Sequence, residues 1–227
     1  MNKEIKVHLI SATPNPREIL RYCWEIINSP GWPDANGPED TSTVISDFLK
    51  SGLSGGLEMI QFVFGFEGVT RAFTHQLVRV RLASYMQQSQ RFTKFEDGLD
   101  VKKPESIKND PTASANWDNT ILCIEDTMLS MHAMGIPTED IRGLYPTNIK
   151  TNIIQCISYS SLRHMLSHRM CTQAQKSEWV SVTKQIKAIV TNYDYLLGSG
   201  LKRTCELTGK CAFDTSLDRE CPIRDTL

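Results

Sequence analysis

The sequence predicts a mixed α+β domain in which strands and helices alternate along the chain. Three observations carry this. Runs with period-two or β-branched patterning stand at residues 6–10, 58–66 and 151–157. Between them lie segments whose apolar residues recur at helical spacing. No low-complexity tract or internal repeat divides the 227 residues. They read as one interwoven domain, 1–227, with a cysteine-bearing tail over 200–227.

In order, residues 6–10 alternate as a strand and lead into Thr13-Pro14-Asn15-Pro16, a turn-rich helix start. Helical periodicity follows over 17–27. Residues 29–41, rich in Pro, Gly, Asn and Asp, form a loop, and 43–50 a second short helix closing at Ser51-Gly52. In the run 58–66, Phe62, Phe64 and Phe66 fall on one face of a strand that Gly68 ends. Residues 70–80 read as a helix, with Phe73, Leu77 and Val80 spaced along a core-facing side. A polar loop spans 96–115 and a long amphipathic helix 117–134, stopped by Gly135-Ile136-Pro137. Thr138-Glu139-Asp140 caps a short helix leading to Arg142, and Tyr145-Pro146 turns the chain. Residues 151–157 form a strand. Ser158 starts a long helix toward Tyr195, with His164, His168 and Arg169 on its early turns.

Charge and composition exclude several classes of partner. With 25 basic and 26 acidic residues the net charge is −1, so nothing points to bulk nucleic-acid or anionic-membrane binding. No apolar run approaches the roughly 20 residues that span a bilayer, and the N-terminus lacks a signal-peptide apolar block. The expected location is the cytoplasm. Seven cysteines without a secretion signal read as reduced thiols or metal ligands. Cys23, Cys123 and Cys156 lie in apolar or helical contexts that suit core packing. Cys171, Cys205, Cys211 and Cys221 could supply four thiolates to a tetrahedral zinc ion, but their spacing has no paired C-x-x-C, and free thiols or a disulfide fit it as well.

The run 79–92, RVRLASYMQQSQRF, holds the densest chemistry of the chain. Guanidinium forks bind phosphate bidentately, and hydroxyls and amides fill the remaining acceptors, so this density suits a polyanionic ligand. Val80 stands between two arginines where such a site would place a polar residue. No Ser/His/Asp or Cys/His constellation for nucleophilic catalysis is visible.

This run resembles the signature of the flavin-dependent thymidylate synthases, which reads Arg-His-Arg, then serine and arginine at fixed spacing. Further blocks resemble the same family in order: Val7-His8-Leu9-Ile10 with Thr13-Pro14-Asn15-Pro16; Gly68-Val69-Thr70-Arg71-Ala72 with His75-Gln76-Leu77-Val78; Glu139-Asp140-Ile141-Arg142 with Tyr145-Pro146; and Leu162, His164, Arg169, Cys171 with Ala174-Gln175. The tail cysteines are similar to those of one branch. The resemblance implies a central antiparallel sheet flanked by long helices, in a homotetramer with sites shared between subunits. It implies reductive C5-methylation of deoxyuridylate (dUMP) to dTMP, using methylenetetrahydrofolate, FAD and NADPH. Such chemistry rests on the flavin, with the protein supplying orientation and electrostatics.

Carried over by position, the resemblance places Gln76, Arg79, Gln87, Ser89, Arg91, Arg142 and Arg169 on the nucleotide, with Arg169 also in a catalytic role. It places Arg79, Val80, Arg81, Gln87, Ser158 and His164 at the flavin, and no metal ligand. The bland alternative for these arginines is surface or interface ion pairing. The flavin side departs from the family's pattern. Val80 replaces the central histidine, Leu53 and Met59 replace two upstream histidines, and Ser158 and Ser160 replace an asparagine and an arginine. Val, Leu and Met neither donate hydrogen bonds nor titrate. The choice lies among three readings: an active synthase with a divergent flavin pocket, a homologue modifying another pyrimidine nucleotide, or a non-catalytic nucleotide-binding homo-oligomer.

Overall fold

In a computed structural model of the protein, residues 4–34, 40–51, 53–93, 98–171, 178–211 and 221 are described. Ala174 and Gln175, and most of the tail beyond Cys211, lie outside them. The elements begin with β1 (Lys6–Ala12), α1 (Pro16–Asn28), α2 (Ser42–Lys50) and α3 (Gly55–Glu58). Next come β2 (Gln61–Thr70), α4 (Arg71–Leu77), β3 (Ala83–Gln87), α5 (Glu105–Lys108) and α6 (Pro111–Ala133). The chain continues through α7 (Thr138–Ile141), β4 (Lys150–Ser158), α8 (Tyr159–Arg169), α9 (Glu178–Tyr193), α10 (Tyr195–Ser199) and α11 (Thr204–Thr208). The four strands form one antiparallel sheet in the order β1-β2-β4-β3, so the architecture is the expected mixed α+β one.

Alternation along β2 buries Phe62, Phe64 and Phe66 on one face, where their rings succeed one another at 5.7 and 6.4 Å. Leu162 and Leu166 of α8 and Val182, Ile186 and Val190 of α9 complete this core. On the other face the register sets Gly65, Ile154 and Met86 side by side across three strands. Ile10 lies over Gly65 from the fourth strand. Ile10, Ile154 and Met86 are exposed, so this face carries an uncovered apolar row.

Two strand-to-helix junctions fix where α4 and α8 leave the sheet. Thr70 ends β2 and caps α4, accepting from the Phe73 amide at 3.1 Å. The buried Glu178 carboxylate in turn takes the Thr70 amide at 3.0 Å and hydroxyl at 2.6 Å. Ser158 ends β4 and caps α8, accepting from the Ser161 amide at 3.2 Å. Because β2 and β4 are antiparallel, α4 and α8 start from opposite ends of the sheet.

Several expectations are corrected. Residues 83–87 were not expected to be a strand. They form edge strand β3, whose exposed positions Ser84 and Met86 alternate with only half-buried ones, which leaves a weak period-two signal. The loop expected over 96–115 contains α5 and the start of α6, where Asp110 caps Pro111 by accepting from Ala113 at 2.9 Å. The long helix expected from Ser158 toward Tyr195 ends at Arg169, and α9 starts anew at Glu178. The reversal lets Trp179 pack on Phe73 at 4.4 Å and lie under Arg169 at 4.6 Å, contacts a straight helix could not make. Helix α6 buries only Met128 among its residues, so its amphipathic face is largely uncovered in one chain.

Candidate functional site

A cavity of about 680 Å³ opens between α8 and the segment joining α4 to β3. That segment supplies Arg79, Val80, Arg81 and Leu82 as one wall. The other wall is a face of α8: Ser160 and Ser161, His164 and Met165, His168 and Arg169 are successive pairs one helical turn apart. Glu58 of α3 closes the edge. The 79–82 wall is fixed from below by Tyr85, whose hydroxyl sits 2.9 Å from both the Leu77 and Val80 carbonyls and 3.1 Å from the donating amide of the fully buried Gln155. Burial raises the Tyr85 phenol above its usual value, against the Gln155 hydrogen bond that lowers it.

At the end of α8, the Gln76 Oε1 accepts from the Arg169 guanidinium at 3.1 Å and from the Trp179 indole at 2.9 Å. Arg169 also stacks over the Trp179 ring at 4.6 Å. The guanidinium is thus oriented by α4 and α9 together. Burial, and after it the neighbouring Arg79, lower its pKa from the ordinary arginine value. Arg79 and Arg81 make no ion pair among the described residues, so the cavity concentrates positive charge.

The remaining expected nucleotide residues lie elsewhere. Arg79–Arg81 precede β3, whereas Ser89 and Arg91 come after it, so five extended residues, roughly 15 Å of strand, separate the two groups. Gln87 turns its amide to the Thr74 hydroxyl of α4 at 2.8 Å. The Ser89 hydroxyl accepts from the Arg91 amide at 3.2 Å. Arg91 reaches the Glu139 carboxylate at 2.8 Å, and the Arg142 Nε donates to the Glu139 carbonyl at 3.0 Å. Arg71 belongs to this group: it donates to the Gln88 carbonyl at 2.6 Å, and burial and then Arg142 lower its pKa. Its buried Nε has no hydrogen-bond partner among the described residues.

One chain therefore brings Arg79, Val80, Arg81, His164 and Arg169 to a single cavity, with Gln76 holding Arg169. Gln87, Ser89, Arg91 and Arg142 lie toward or beyond the far end of β3. Ser158 serves the helix cap, and Ser160 and Ser161 take the lining positions beside it. Sequence reasoning did not assign Trp179, Arg71 or His168. The i, i+4 spacing of His164 and His168 on one helix was the available signal for the last. Among the described residues no three His, Cys, Asp or Glu side chains gather in a metal-binding group, and Cys171, Cys205, Cys211 and Cys221 are free and half-buried. No helix of the described residues is long and apolar enough to cross a membrane.

Residues 8–194 match the family described as thymidylate synthase complementing protein. The chain is 35% identical over 179 residues to the flavin-dependent thymidylate synthase of Pyrococcus horikoshii, covering 75% of this chain and 73% of that protein. It is 28% identical over 215 residues to that of Geobacter sulfurreducens, covering 91% and 90%. With the enzyme of Clostridium tetani the identity is 31% over 190 residues, covering 75% and 76%. The chain belongs to the thymidylate synthase complementing protein family, that of the flavin-dependent thymidylate synthases.

Proposed function

We propose that the protein is a flavin-dependent thymidylate synthase that methylates dUMP at C5, with methylenetetrahydrofolate as carbon donor and NADPH as reductant. The observation that carries this reading is the cavity between α8 and the 79–82 segment, where three arginines converge and Gln76 and Trp179 hold one of them in place. A nucleotide phosphate is a dianion that such guanidiniums recognise bidentately. The Gln76 amide nitrogen remains available to a pyrimidine carbonyl while its oxygen is occupied by Arg169 and Trp179.

The second arginine group supports an oligomeric site. About 15 Å of strand separates Ser89 and Arg91 from Arg79 and Arg81, and Arg142 sits with Arg91 beside Glu139, so in this reading a second copy of the chain supplies them. The uncovered row of Ile10, Ile154 and Met86 on the sheet's outer face gives such copies an apolar surface to bury. A homotetramer accommodates both features.

The cavity also suits FAD. Val80, Leu82 and Met165 offer an apolar shelf for a planar ring, and Arg79 and Arg81 lie beside it for a pyrophosphate. When bound, the flavin supplies the hydride chemistry. The chain's own residues bind and orient the nucleotide, and the walls of the cavity limit water around it. Val80 favours a second reading, a nucleotide-binding homo-oligomer without flavin chemistry, because an apolar side chain in this wall cannot hydrogen-bond or titrate. The visible absorption spectrum separates the two. A synthase purifies yellow or turns yellow with added FAD, and oxidises NADPH in response to dUMP. Colourless protein that binds dUMP but not FAD overturns the synthase reading in favour of the second.

A further inference from the structure

His164 and His168 stand one turn apart on the cavity face of α8, their ring centroids 5.1 Å apart at an interplanar angle of 78°. They are two of the five histidines in the chain. Imidazole is the one side-chain type in the cavity wall whose ordinary titration falls between about pH 5 and 8. Guanidinium stays charged and serine stays neutral throughout that range. The charged groups facing the pair are Arg79 and Arg81 from the opposite wall, Arg169 from the same helix and Glu58 from α3. Burial, then His164, then Arg169 push the His168 imidazole below its usual value. Val80, across the cavity, offers neither a proton nor a hydrogen bond.

We propose that the His164–His168 pair is a proton-accepting ligand contact: an anion drawn in by Arg79, Arg81 and Arg169 binds together with a proton, which the pair takes up from solvent. This rests on the proposed nucleotide-binding role of the same cavity. Without ligand, burial, the second ring and Arg169 disfavour an imidazolium at His168. An arriving phosphate cancels that field and displaces water, so the charged form becomes favourable and donates a hydrogen bond to the ligand. A charge on one ring opposes a second charge 5.1 Å away, so the uptake belongs to the pair. The consequence is a proton held in the cavity wall only while ligand is present.

Titration calorimetry of the full-length protein with dUMP tests this, run at pH 6.5 in two buffers of different ionisation enthalpy. The phosphate's own second ionisation, near 6, also exchanges protons on binding and is common to all variants. The wild type should take up roughly half a proton more than a His164→Gln/His168→Gln double variant. Each single variant should fall between them. Neither residue belongs to the buried core, and circular dichroism checks that the variants fold. Where the double variant binds too weakly to measure, the single variants decide by the same difference. Equal proton exchange in wild type and variants, with dUMP still bound, overturns the inference and leaves the proposed function standing. No dUMP binding by the wild type overturns both.

Discussion

At one end of β3, Arg79, Arg81 and Arg169 face a walled cavity; at the other, Arg91 and Arg142 lie on open surface around Glu139. The side chains are the same and the settings differ. In the cavity, Arg169 is oriented by an amide and an indole and stands near Arg79. On the surface, Arg91 and Glu139 are each half-exposed and satisfy one another. Arg79 and Arg81, without an ion pair among the described residues, meet an arriving anion directly, whereas Arg91 must first give up Glu139. In the proposed reading the cavity end is the anchor, and the outer end a second contact supplied by another chain.

The largest test of that contrast is Arg169→Ala. It should raise the dissociation constant for dUMP roughly ten- to a hundred-fold, the loss of a charged hydrogen-bond set worth about 1.5 to 3 kcal/mol. Unchanged affinity would show that the cavity does not hold the nucleotide. Arg91→Ala should cost less, about 1 kcal/mol, because the exposed pair with Glu139 offsets part of what the ligand contact contributes. An Arg91 effect larger than that of Arg169 would reverse the assignment of anchor and completing contact.

Ser158→Ala addresses the boundary of the cavity. Loss of the α8 cap should destabilise the fold by about 1 kcal/mol in chemical denaturation. Nucleotide affinity should stay within about two-fold, since the Ser158 hydroxyl is engaged by Ser161. A large affinity loss without destabilisation would return Ser158 to the ligand. The smallest expected effect is that of Val80→His, which restores a hydrogen-bonding ring to the wall and should tighten FAD binding a few-fold, measured by fluorescence quenching. No change would count against a flavin pocket that is merely weakened at this position.

Much of the fold was legible because its strongest signals are periodic. Phe62, Phe64 and Phe66 announce β2, and the β-branched run before Ser158 announces β4. Edge strand β3 was not legible, since Ser84 and Met86 face solvent and leave no apolar alternation. The arginines of the cavity were found from their pattern, but pattern order carries no distance. Arg79 and Arg91 belong to one motif, and the extended geometry of β3 sets them beyond its opposite ends. Trp179 went unread for a related reason: its link to Gln76 crosses 103 positions, and its contact with Arg169 depends on α9 starting anew after α8.

The central claim is that the two ends of β3 form one site between different chains. Co-expression of Arg169→Ala and Arg91→Ala chains tests it most directly, because mixed oligomers contain some sites built from the intact cavity of one variant and the intact outer group of the other. Titration with dUMP should then reveal roughly a quarter of the sites binding with wild-type affinity, although each variant alone has none. Mixed oligomers in which no site recovers wild-type affinity would contradict the account.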